Sequence, residues 1–218
     1  CKENCQPGCK CGRFTELGNN VFMEYNKNSD GKFEKLAQRN VDFGGGFERI
    51  LAIINDTEDN YQTDLFLPII KKIEKITDKK YGENLKEFRI IADHLKASTF
   101  LILDGVIPSN KLQGYVLRRL LRRSMVKMHT LSGKVWNAES VMEIIEVVFN
   151  IYDGLYGITK ENQQKVFEIV TDELTRFTQS LDRGLKEFEK ASNDQLNALF
   201  AFNLFQTHGF PLEVSQEL

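Results

Sequence analysis

Between Phe88 and Ser124 the chain reads FRIIADHLKASTFLILDGVIPSNKLQGYVLRRLLRRS, a string that a pair of helices accommodates and a sheet does not. Ile91, Leu95, Thr99 and Ile102 recur at near-helical spacing, which predicts a helix over 85–103 with one buried face. Asp104-Gly105 ends that helix, because glycine takes the left-handed closing conformation at no steric cost. Pro108 holds an extended turn, and Ser109 or Asn110 is the expected N-cap of a second helix over 111–129. The second helix carries Val116, Leu117, Leu120, Leu121 and Met125 on one side. Arg118, Arg119, Arg122 and Arg123 lie on the other.

Charge makes this stretch unusual. The whole chain has a net charge of −2, yet no acidic residue occurs between Gly105 and Ala138. Lys111, the four arginines, Lys127 and Lys134 place seven positive charges there. A solvated helix face would account for such a run, and so would a polyanion site. Nothing approaches 18 consecutive apolar residues, and no secretory leader pattern is present. A cytoplasmic protein without a membrane partner is therefore expected. The chain opens on Cys1 rather than Met, inside a patterned segment, and reads as a fragment.

The first 13 residues hold all four cysteines: Cys1, Cys5, Cys9 and Cys11. Clustered thiolates on a turn-rich segment can hold a structural Zn2+. Incidental free thiols and disulfides are the competing readings, and the C-x3-C-x3-C-x-C spacing is no standard zinc signature. Residues 13–42 read as strands: Phe14–Leu17, Val21–Tyr25, a short return at Phe33 and Leu36, and another at Asn40–Phe43. Asn28-Ser29-Asp30-Gly31 is the expected hairpin turn. Then Val41-Asp42-Phe43-Gly44-Gly45-Gly46-Phe47-Glu48-Arg49-Ile50 runs from strand through glycines into a helix. Structural glycines at a strand-to-helix turn explain it; so does a backbone that approaches a phosphate or a base. Past the polar joint at 56–60 the expected elements are all helical, over 63–77, 85–103, 111–129, 139–150, 160–190 and 194–205. Glu173, Arg176, Phe177, Leu181, Gly184 and Leu185 form a packing stripe on the longest of these.

The order of these strings is similar to that of alanyl-tRNA synthetases, which are class II aminoacyl-tRNA synthetases. IADHLKASTFLILDGVIPSN followed by GYVLRRLLRRS resembles the family's central helical segment, and VDFGGGFER resembles its third signature motif, V-D-T-G-M-G-x-E-R. ELGNNVFM is similar to its E-x-W-N-x-V-F-M strand, NYQTDLF to its entry into the helical part, and FQTHGFPLE to Y-D-T-Y-G-F-P-x-D. Gly18, Phe43, Gly45 and Gln206 depart from the usual Trp, Thr, Met and Asp. The resemblance implies an α+β fold. Residues 1–59 would belong to the aminoacylation domain, with antiparallel strands, and 60–218 to a helical tRNA-recognition domain.

The resemblance also implies roles. Gly44, Gly46 and Arg49 would bind ATP, with Arg49 packed on adenine and reaching the γ-phosphate, and Asn19 and Asp42 would hold alanine. Phe43, bulky and next to Asp42, would alter the pocket's shape, and the absent Trp at position 18 would leave it wider unless another side chain fills in. Asn110 and Gln206 would approach a G·U pair in the tRNA-Ala acceptor stem from its two sides, while Arg118, Arg119, Arg122 and Arg123 clamp phosphates. The implied substrates are alanine and Mg-ATP, and the implied nucleic acid is RNA, not DNA. The first two class II motifs are absent, so this stretch by itself is expected not to form adenylate. A non-catalytic RNA-binding relative of the synthetase is the alternative. For Asn110 alone, helix capping is the competing role.

Overall fold

The computed structural model describes residues 5–9, 11–133, 137–191, 196–208, 210 and 215. It divides into two compact units, Cys1–Leu65 and Phe66–Leu218, the first built on strands and the second on helices, an α+β architecture.

In the first unit a long antiparallel ribbon pairs β1 (Gly18–Lys27) with β2 (Phe33–Gly45). The Asn28–Gly31 signal forms the turn as expected. Asn28 Oδ1 accepts from the Lys32 N–H at 2.9 Å, and Gly31 takes the left-handed φ of 78° that favours glycine there. The expected short strands at 33–36 and 40–43 are one continuous strand, because the ladder persists across a single irregularity between Met23 and Tyr25. Phe14–Leu17 is not a strand; its contribution is the Leu17 carbonyl, which accepts from the Gly46 N–H at 2.8 Å. Helix α1 (Phe47–Ile54) follows directly from β2.

The second unit contains α2 (Leu67–Thr77), α3 (Leu85–Leu103), α4 (Leu112–Ser132), α5 (Ala138–Ile151), α6 (Lys160–Lys190) and α7 (Ala198–His208). Helix α2 begins four residues later than its pattern predicts. Residues 60–62 close a 3-10 turn capped by the Asp59 carboxylate, and Pro68 lies in the first helical turn, where its missing N–H costs nothing. Asn137 caps α5 by accepting from Ser140 N–H at 3.1 Å, and Thr159 caps α6 by accepting from Asn162 N–H at 3.2 Å. Gly105 takes φ 88° after α3 and Gly133 φ 66° after α4.

Ile91, Leu95, Thr99 and Ile102 of α3 are buried against Leu117, Leu121 and Met125 of α4, as their spacing predicts. Val116 is not in that face; it is half exposed. Full burial of one such aliphatic side chain contributes about 1.5–3 kcal/mol, against about 0–1 kcal/mol for a surface ion pair. The apolar stripe therefore sets the rotation of α4, and its arginines take what orientation remains. On α6 the predicted stripe is buried at Glu173, Phe177, Leu181 and Gly184, while Arg176 faces outward and pairs with Asp172 at 2.9 Å. Among the described residues no helix is long and apolar enough to cross a membrane.

Candidate functional sites

The glycine-rich turn of the first unit places an arginine. Gly46 is the N-cap of α1, and a Cβ there would overlap the Arg49 guanidinium, whose Cζ would lie 2.9 Å away. Glycine at 46 is thus the space in which that guanidinium rests. The β register puts Asn19 opposite Gly44 and Val21 opposite Asp42. Asn19 and Asp42 are therefore diagonal neighbours on one face of the ribbon. One oxygen of Asp42 accepts from the Phe43 N–H at 2.9 Å. Phe43, opposite Asn20, belongs to the other face together with Gly18 and Gly45. A Cβ at Gly18 would stand 2.7 Å from the Phe43 ring, so the large residue at 43 occupies the room freed by the small one at 18. The expectation that Phe43 crowds the Asp42 side is corrected: its ring lies on the opposite face.

Ahead of the ribbon, the sulfurs of Cys5, Cys9 and Cys11 lie within 4.8 Å of one another, with Cys5 and Cys11 3.4 Å apart. Cys1 lies outside the described residues. Cys5 and Cys11 are free thiols, whereas Cys9 is disulfide-bonded. Three sulfurs this close suit a tetrahedral thiolate site once Cys9 is reduced. The Arg13 backbone N–H, and after it the Cys5 thiol, hold the Cys11 thiol below its ordinary pKa, which favours the ligating thiolate.

In the second unit, the loop between α3 and α4 is pinned to the helix it precedes. Ser109 N–H donates to the Gly114 carbonyl at 3.0 Å. The Ser109 hydroxyl donates to the Lys111 carbonyl at 3.0 Å and accepts from the Lys111 N–H at 3.3 Å. Helix α4 starts at Leu112 with Lys111 at the N-cap position and no side-chain cap. Neither Ser109 nor Asn110 is the cap, because the hydroxyl bonds Lys111 and the Asn110 carboxamide oxygen accepts from Arg118 Nη1. Asn110 remains solvent-exposed at the loop tip.

The four arginines separate into two pairs. Arg118 and Arg122 turn toward α6, where Glu173 receives them: Oε1 lies 2.7 Å from Arg122 Nε and Oε2 3.4 Å from Arg118 Nε. The Arg122 guanidinium also stands 5.0 Å over the Phe177 ring. Arg119 and Arg123 occupy the neighbouring stripe, and Arg119 is exposed. Glu173 was legible only as part of a core stripe. A carboxylate between Val170, Leu174 and Phe177 is itself a signal, since a buried acid requires a cation or several donors. Gln206 lies exposed on α7. That helix is fastened to α6 through Phe188 and Phe200, whose rings meet edge to face at 6.1 Å. Farther along, the buried Phe210 ring covers Gly184. Residues 209 and 211–213 of that motif lie outside the described residues.

Residues 2–218 match the family model described as tRNA synthetases class II (A). The chain belongs to this family. It is 40% identical to the alanine–tRNA ligase of Pediococcus pentosaceus, over 97% of the chain and 25% of that protein. Identity to the alanine–tRNA ligase of Borreliella afzelii is 39%, over 100% of the chain and 38% of the relative. For the Staphylococcus aureus enzyme it is 36%, over 99% and 25%. The synthetase chain described here thus spans between 25% and 38% of the length of these curated relatives.

The pinned loop of this synthetase yields a stability prediction. A Cβ at Gly114 would overlap both the Ser109 hydroxyl and the Ile107 backbone carbonyl. Alanine should gain up to about 1 kcal/mol in helix propensity, but overpacking against a carbonyl that cannot rotate away costs about 1–3 kcal/mol. Gly114→Ala should therefore be net destabilising in denaturant unfolding. Gly82→Ala, where nothing lies within 4 Å of the added carbon, is the control and should be close to neutral.

Proposed function

We propose that this chain is the part of an alanine–tRNA ligase that completes the ATP and alanine site and reads the acceptor stem of tRNA-Ala. The whole protein would join alanine to ATP as an adenylate and pass the alanyl group to the tRNA terminus. Mg-ATP and alanine are its substrates, and the first unit belongs to its catalytic domain. In this reading Gly44 and Gly46 let ATP approach the backbone, and the planar Arg49 guanidinium stacks on adenine while pairing with phosphate. Asn19 and Asp42, sharing one face, hold the amino end of alanine. A two-stranded ribbon with Phe22, Val41 and Phe43 exposed is marginal by itself, which fits a piece of a larger catalytic sheet.

The observation that carries the proposal is the exposed carboxamide of Asn110, fixed at the tip of a pinned loop beside a basic helix. A G·U wobble pair leaves the guanine 2-amino donor exposed in the shallow minor groove of A-form RNA, the groove that side chains can read. A carboxamide oxygen accepts from it. Gln206, with an acceptor oxygen but no charge, would approach from the other side. Glu173 and Gly184, the two anchor points on α6, are 11 residues apart, about 16 Å along a helix. Two arms held at different levels of one helix suit a groove approached from both sides.

Asn110→Ala in the full-length protein should cost about 1–3 kcal/mol against a G·U acceptor stem and little against a G·C control. Replacing Arg119 and Arg123 should weaken both stems alike and flatten the salt dependence of binding, because fewer counterions are released. Equal losses on both stems for Asn110→Ala would remove it as a reader.

The Gly18–Phe43 contact favours a second reading, an RNA-binding relative without alanine chemistry. Alanine-dependent pyrophosphate exchange by the full-length protein separates the two. For the cysteines we propose a structural Zn2+ on Cys5, Cys9 and Cys11, with no part in catalysis. Metal analysis of reduced protein should find about one equivalent. Chelation should loosen the N-terminal segment alone. Freely titrating thiols in a metal-free preparation would leave the cluster without a metal role.

A further inference from the structure

We propose that Glu173 is a positioning residue for Asn110, acting through Arg118, and that this relay decides which end of the Asn110 carboxamide meets the RNA. The proposal rests on the reading of Asn110 as the acceptor for a guanine 2-amino group. Three observations carry it. The Glu173 carboxylate is 5% exposed and divides its oxygens, one to each arginine. Arg122 is held a second time by the Phe177 ring, so the carboxylate has a fixed neighbour on that side. Arg118 turns its Nε toward Glu173 and donates from Nη1 to Asn110 Oδ1, so one planar guanidinium spans both partners.

The chemistry at Asn110 makes this consequential. A carboxamide has an acceptor end and a donor end of nearly the same shape, and a rotation of half a turn exchanges them. Guanine's 2-amino group is a donor, so the flipped amide would face it donor to donor. An arginine has donors only, so Arg118 holds Oδ1, not Nδ2, in place. The second lone pair of Oδ1 stays available for the base. Lysine at 118 would keep the charge but not the plane that reaches both partners. With the carboxylate removed, Arg118 loses its fixed end and the amide its orientation.

The test compares the affinity of the full-length protein for two acceptor-stem hairpins that differ only in G·U against G·C. Asn110→Ala should lower the G·U preference about tenfold. Glu173→Gln, which keeps shape and an acceptor oxygen, should lower the same preference several-fold and leave G·C affinity nearly unchanged. Arg118→Lys should do likewise, and it carries the test where Glu173→Gln fails to fold. In an Asn110→Ala background neither change should lower the preference further. In an Asn110→Asp background neither should matter, because a carboxylate presents an acceptor at both ends. A merely structural Glu173 would move all these backgrounds equally. Multiplying losses in the double variants, or an unchanged preference in both Glu173→Gln and Arg118→Lys, would overturn the relay while the Asn110 reading stands. No G·U-specific loss in Asn110→Ala itself would overturn both.

Discussion

Glu173→Ala should lower the unfolding free energy of this chain by about 3 kcal/mol, toward the lower end of what removing one partner of a buried ion pair costs. The loss comes less from the missing attraction than from two guanidinium groups left beside apolar side chains with no counter-charge. Arg118 and Arg122 are 24% and 25% exposed, so water recovers part of their hydration, which excludes the upper end of the range. An exposed pair behaves differently. Lys186 and Asp182 lie 2.8 Å apart at 64% and 48% exposure, and Asp182→Ala should change stability by no more than about 0.5 kcal/mol. Replacing Glu173, Arg118 and Arg122 together by apolar residues of similar volume should recover much of the loss, since desolvation then disappears with the charges. Denaturant midpoints measured for the three variants decide the matter. Equal effects at 173 and 182 would mean that the α4–α6 ion pairs are not buried in solution.

That contact also shows where a sequence can be read and where it cannot. The bounds of α3 and α6 follow from local signals: apolar spacing, Gly105 after α3, Thr159 before α6. The Asn28–Gly31 turn is equally local. The charge of α4 is another matter. No acid stands between Gly105 and Ala138, so four arginines look like a free positive surface. Two of them meet a carboxylate 51 and 55 residues away on another helix. Nothing in the local composition marks that pairing, although the acid inside α6's apolar stripe does mark that some pairing must exist. The N-cap of α4 fails for a related reason. Ser109 and Asn110 both have capping chemistry, but one bonds its own turn and the other an arginine eight residues on. Phe43 shows the limit in the ribbon: which face it takes depends on a register fixed by pairing with β1, not on its neighbours in sequence.

Arg49→Ala in the full-length protein should reduce kcat/KM for ATP about 30-fold or more, with binding of the acceptor stem unchanged. A charge-assisted hydrogen bond contributes about 1.5–3 kcal/mol and a desolvated guanidinium over an aromatic ring up to about 2 kcal/mol. A conservative loss of about 2 kcal/mol corresponds to that factor. Arg49→Lys should recover little, because an ammonium cannot stack and pair in one plane. Gly46→Ala separates the position of the guanidinium from its presence. The added methyl takes the space in which the guanidinium rests, but the clash is with the end of a flexible side chain, so the fold should survive with its unfolding midpoint nearly unchanged. ATP use should nevertheless fall, because Arg49 must swing away from the start of α1. If Arg49→Ala is severe and Gly46→Ala is silent, the guanidinium works from a position other than the one over Gly46. If both are silent, the glycine turn only connects strand to helix, and the ATP site must be sought on other residues of the protein.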